Sequence, residues 1–180
     1  MSIALHAFPD DAAQAQRLAD AMHLPLALVR THAFPDGEIL PRVPPPASTT
    51  IVYRSLDRPN DKLVELLLAA DAWRRGGAER LVLVAPYLPY MRQDTAFPPD
   101  EPVSQRVVAG LLDDAFDRIV TVDPHIHRIS TLGDVFPTAE CTLLHGGDAL
   151  VAYLRASADA TRWLVVGPDS ESAPWVRRIS

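Results

Sequence analysis

Three features of the chain predict an α/β fold built on a doubly wound parallel sheet. Short apolar runs alternate with amphipathic stretches along most of the sequence. The runs are mostly continuous rather than alternating in polarity, as strands covered on both faces should be. Two of them, Leu81-Val82-Leu83-Val84-Ala85 and Ile119-Val120-Thr121-Val122, empty into clusters of charged and imidazole side chains. Open parallel sheets bind ligands outside the carboxyl ends of their strands.

Taken in order, residues 3–7, 26–30, 50–54, 81–85, 119–122 and 163–166 read as strands. Pro25 sits where a strand tolerates proline, at its start. Residues 10–22 read as a helix opened by acidic side chains that complement the helix dipole. Residues 60–75 form the next, with Asn60 as cap, Leu63, Leu66, Leu67 and Ala70 on one face, and Gly76-Gly77 as the stop. Residues 102–116 follow, with Pro102 in the first turn and Val103, Val107, Leu111 and Leu112 on one side. Residues 148–156 are a shorter helix, preceded by a turn at Gly146-Gly147. The βαβα order requires right-handed crossovers. The proline-rich stretch 86–102 is long for a connection, and such loops are usually lids or binding loops. After the strand at 163–166, a turn at 168–172 opens a helix at 173–180, half of a further βα unit. The expected organisation is therefore a domain over 1–145 and the beginning of a second α/β domain over 146–180.

Composition narrows the function. The 180 residues carry a net charge of −6 and no basic stretch, which argues against nucleic acid. No apolar run is long enough to cross a membrane, and the first nine residues lack the pattern of a secretory leader. The lone Cys141 forms no internal disulfide, fits a small buried hydrophobe, and suits a reducing cytoplasm. Lys62 is the only lysine.

Six stretches carry a family resemblance. They are Phe34-Pro35-Asp36-Gly37-Glu38, Asn60-Asp61-Lys62-Leu63 and the residues following it, Pro86-Tyr87 through Tyr90-Met91-Arg92-Gln93-Asp94, Pro102-Val103-Ser104, Val122-Asp123-Pro124-His125, and Pro168-Asp169. In this order and spacing the chain resembles the ribose-phosphate pyrophosphokinases, also called phosphoribosyl pyrophosphate synthetases. The resemblance implies a phosphoribosyltransferase-like fold and transfer of diphosphate from ATP to ribose 5-phosphate with Mg²⁺. It also implies a homo-oligomer built from dimers. By the same resemblance Phe34, Asp36 and Glu38 belong to a hairpin that meets the adenine held by a neighbouring subunit. Arg92 and Gln93 contact ATP, and His125 and Asp169 are metal ligands. Asp123, an oxygen donor that suits Mg²⁺ better than imidazole does, joins the metal set.

The chain also departs from that family. Thr95-Ala96-Phe97 stand where basic residues are usual, and Ser170-Glu171-Ser172 stand where a glycine pair is usual. Neither the family's catalytic lysine nor its acidic ribose-phosphate loop has a match, so no catalytic residue is assigned and the 180-residue form is expected to bind nucleotide at most. A non-catalytic regulatory or assembly subunit of the family, and another nucleotide-binding phosphoribosyltransferase-like protein, are the alternatives. Taken alone, Arg92-Gln93-Asp94 also fits a solvated loop, Phe34–Glu38 a β-turn, and Asp123-Pro124 a capping turn. His125 with His127 raises a zinc site as a rival. His6, His23, His32 and His145 stand alone and are expected to be structural or exposed.

Overall fold

The structure, a computed structural model, describes residues 2–96, 98–126, 131–156 and 164–179. The chain divides into two compact units, Met1–Leu143 and Leu144–Ser180.

The first unit is organised by a six-stranded sheet. Its strands are β1 (Ile3–Ala7), β2 (Leu26–Leu28), β5 (Thr49–Tyr53), β6 (Arg80–Ala85), β7 (Arg118–Val122) and β8 (Glu140–Leu144), in the order β2-β1-β5-β6-β7-β8. The ladders joining β2, β1, β5, β6 and β7 are all parallel. A separate antiparallel hairpin pairs β3 (Arg30–Ala33) with β4 (Ile39–Arg42). The expected strand over 26–30 is thus split: β2 ends at Leu28, buried Val29 still donates its N–H to the Ala7 carbonyl at 2.9 Å, and Arg30 begins the hairpin.

Helices cover both faces, which is why the strands read as continuous apolar runs. The helix α1 (Ala12–Met22) packs Ala19 against Leu5 and Ile51. On the other face lie α2 (Pro59–Arg75) and α3 (Ser104–Ala115), whose Leu63, Leu66, Trp73, Val108 and Leu112 meet Val52, Leu81, Leu83 and Ile119. Each of these large side chains contributes about 1.5–3 kcal/mol by leaving water. Adjacent residues on one strand serve opposite faces, so Leu5 packs under α1 while His6 stacks on Trp73 at 5.5 Å between ring centroids.

Two helix assignments change. α2 is not capped by Asn60; it starts at Pro59 after Arg58, whose φ of 50° ends the incoming extended chain. α3 buries Gln105, Val108, Ala109 and Leu112, while Val107 and Leu111 face outward at 61% and 46% exposure. The stripe is rotated because Gln105 occupies a buried place with its amide satisfied, donating to the Met91 carbonyl at 3.2 Å.

In the second unit, α4 (Gly146–Ala156) includes the glycine pair expected as a turn, and Gly147 sits against Ile179 of α5 (Ala173–Ile179). A side chain at 147 would bring its Cβ to 3.3 Å from Ile179, so the pair serves close packing. Arg178 donates to both Asp148 oxygens at 2.7 and 2.8 Å and holds that carboxyl below its ordinary pKa. Of the strand expected at 163–166, Leu164, Val165 and Val166 form no strand, and Trp163 lies outside the described residues.

Candidate functional site

Three neighbouring strands end on one side of the sheet, and the loops that leave them form a cleft of about 510 Å³. Asp57, Arg58, Pro59 and Asn60 come from the loop after β5 and the first turn of α2. Tyr87 through Gln93 come from the loop after β6, and Val122 through His125 from the end of β7 and its loop. Arg92, Gln93, Asp123 and His125, read from separate motifs, therefore line the same cleft. The reason is geometric: in a parallel sheet every carboxyl end faces the same way. The cleft lies outside β5, β6 and β7, beside rather than over the β1/β5 junction where the strand order reverses.

Backbone bonds continue past the strands and fix these loops to one another. Leu56 N–H donates to the Tyr87 carbonyl at 3.2 Å, and Val122 N–H to the Pro86 carbonyl at 3.4 Å. The Tyr90 hydroxyl reaches the Asn60 side-chain oxygen at 2.5 Å, joining the second loop to α2. From below, Gln105 holds Met91 through its side chain, and its own N–H donates to the Gln93 carbonyl at 3.1 Å. Arg92 and Gln93 are thus presented on a turn anchored on both sides, with their side chains exposed to the cleft.

The backbone at the cleft is strained. Arg58, Tyr90, Asp123 and His23 are the non-glycine residues with positive φ among those described, and the first three line the cleft. Each such conformation costs about 1–3 kcal/mol and clusters where function over-determines geometry. His23 has an ordinary explanation, since it ends α1 in a left-handed cap.

A buried ion cluster adjoins the end of β5. Arg54, just past β5, bonds Asp11 at 3.1 Å and Glu65 at 2.5 Å, and its guanidinium lies 4.2 Å from the centre of the Phe8 ring. Burial pushes the Asp11 carboxyl up while Arg54 pulls it down. Lys62 bonds the Ser55 carbonyl at 3.0 Å and Asp57 at 2.8 Å, and the latter bond depresses the Asp57 pKa. The single lysine is therefore committed to shaping the loop after β5.

The remaining expected residues lie elsewhere. Phe34, Asp36 and Glu38 form the exposed tip of the β3–β4 hairpin, where Phe34 N–H donates to the Glu38 carbonyl at 2.8 Å and Asp36 accepts from Glu38 N–H at 3.1 Å. They do not line the cleft of their own chain. Asp169 belongs to the second unit, where its carboxylate accepts from Ser172 N–H at 3.0 Å. His127 lies outside the described residues. Among the described residues no group of three or more His, Cys, Asp or Glu side chains could hold a metal by itself. Mg²⁺ does not demand such a group, because it keeps several waters and takes substrate oxygens. Asp123, on the lining of the cleft, is an oxygen donor of the kind Mg²⁺ takes. The sequence reading missed Asp57, Arg58 and Tyr90. The first two follow a strand just as Arg92 and Asp123 do, so the same rule would have found them.

Sheet order, crossovers and a cleft at the carboxyl ends define an α/β protein with the phosphoribosyltransferase-like fold. A family model described as the N-terminal domain of ribose phosphate pyrophosphokinase matches residues 3–115. The ribose-phosphate pyrophosphokinase of Methanopyrus kandleri is 36% identical over 92% of this chain and 56% of its own length. That of Bradyrhizobium diazoefficiens is 34% identical over 93% of this chain and 53% of its own length. The crystal structure of phosphoribosylpyrophosphate synthetase from Mycobacterium smegmatis matches with a TM-score of 0.82 at 27% identity, covering 99% of this chain and 60% of that one. The chain belongs to the ribose-phosphate pyrophosphokinase family, and it spans about half the length of the curated relatives it matches.

Proposed function

We propose that this chain is the nucleotide-binding half of a ribose-phosphate diphosphokinase, the enzyme that moves diphosphate from ATP to ribose 5-phosphate. The observation that carries the reading is the convergence of Arg92, Gln93, Asp123 and His125 on one cleft, in a chain of this family. Arg92 offers a planar fork to phosphate oxygens, and Gln93 offers an amide. Asp123, with His125 directly or through water, holds Mg²⁺. Bound there, the ion would neutralise charge building up between the phosphates, the main demand of phosphoryl transfer. Asp169, caught in the Ser172 cap, is the further oxygen donor of this reading. The hairpin tip, exposed and apart from its own cleft, serves the adenine of a second copy in a homo-oligomer built from dimers. Residues 146–180 belong to the beginning of a second α/β domain. The working compartment is the cytoplasm.

Nucleotide binding tests this. ATP or ADP with Mg²⁺ should raise the melting temperature by mass action, Arg92→Ala should weaken the shift, and His145→Ala should not. No nucleotide shift, together with a zinc shift abolished by His125→Ala, would replace this reading with a metal site. A second reading is a family member that binds nucleotide and assembles without catalysing. The two part on whether phosphoribosyl pyrophosphate forms from ATP and ribose 5-phosphate.

A further inference from the structure

Arg92 is not the only guanidinium on the cleft. Arg58 lines it too, from the loop after β5; it is exposed, and its side chain makes no ion pair or hydrogen bond with any described residue. The adjacent carboxylate is already occupied, since Asp57 bonds Lys62 at 2.8 Å. The positive charge of Arg58 is therefore left for whatever enters the cleft. Its backbone is also costly. With φ at 50° it adopts a conformation that glycine takes freely and arginine does not, immediately before Pro59, which disfavours helical geometry in the residue ahead of it. No side chain caps the first turn of α2 behind it. The backbone of Arg58 turns the chain into α2, but no bond in the fold accounts for its exposed guanidinium.

Resting on the nucleotide reading above, we propose that Arg58 is the second phosphate-binding cation of the cleft. It approaches the ligand from the β5 loop while Arg92 approaches from the β6 loop. Two forks from separate loops of one cleft suit a chain of phosphoryl groups, so the site selects polyphosphates over monophosphates and uncharged nucleosides.

The test is calorimetric titration of the full chain, with Mg²⁺ present, using ATP, ADP, AMP and inorganic tripolyphosphate. The proteins are wild type, Arg58→Gly and Arg58→Lys. Glycine removes the charge and suits the backbone, so Arg58→Gly should melt no lower than wild type. It should bind ATP, ADP and tripolyphosphate roughly tenfold more weakly, with AMP changed far less, because the lost bonds are charge-assisted. Arg58→Lys should recover part of the loss. Arg58→Gly binding ATP as tightly as wild type overturns the proposal and leaves the nucleotide reading standing. Wild type binding tripolyphosphate but no nucleotide overturns that reading instead, and Arg58 is then judged on tripolyphosphate. Wild type binding neither overturns both.

Discussion

His6 gives the molecule an acid sensitivity whose size follows from its surroundings. The ring is buried at 2% exposure, stacked on Trp73, and its Nδ1 has no hydrogen-bond partner. Burial alone lowers its pKa from 6.5 to about 4. The unfolded chain therefore takes up a proton before the folded one does. The stability tied to neutral His6 is complete above about pH 6.5 and is lost as pH falls towards about 4. At about 1.4 kcal/mol per pH unit the ceiling is about 3 kcal/mol, and most of it is gone by about pH 4.5. With a urea dependence of about 2 kcal/mol per molar, the unfolding midpoint should drop by about 1.4 M on this account. The assay is urea unfolding at several pH values for wild type and His6→Leu, which keeps an apolar side chain against Trp73. Asp11 and Asp57 titrate in both proteins, so the difference between the two slopes isolates His6. Wild type should lose stability more steeply than His6→Leu between about pH 6.5 and 4.5. Equal slopes would refute the argument.

Arg54→Met should cost about 3–5 kcal/mol in urea unfolding, because Asp11 and Glu65 are left as buried charges without their partner; a cost below about 1 kcal/mol would mean water already screens the cluster. Gly77, at φ 103° with open space around its missing Cβ, should lose about 1–2 kcal/mol on substitution by alanine through backbone strain alone. Gly110, inside α3 with equally open space, should gain about 0.5–1 kcal/mol from the same change. Thermal melts of the two glycine variants moving in the same direction would contradict the conformational explanation.

The sheet was readable because β1, β5, β6 and β7 are buried runs bounded by breakers, and boundaries moved by a residue or so. The hairpin strands were not, since Arg30-Thr31-His32-Ala33 is exposed, lacks apolar periodicity, and pairs across with a strand containing Pro41. Glu140–Leu144 escaped for a related reason: an edge strand beginning with a charge and only partly buried carries a weak signal. The stripe on α3 was misjudged because Gln105, a polar residue, is buried by a bond to a distant carbonyl that the local sequence cannot announce. Within the cleft, residues concentrated in dense charged motifs stood out. Tyr90 did not, because what marks it is a backbone angle, and only the folded chain has one.

The grip of Gln105 on Met91 and Gln93 has an evolutionary corollary. The two ends of the segment that follows Gln93 are tied together through Gln105. Closing a flexible loop twice as long costs only about 0.6 kcal/mol more. Insertions and deletions can accumulate there without shifting Arg92. A lineage could thus remodel that segment extensively while Arg92 stays in register.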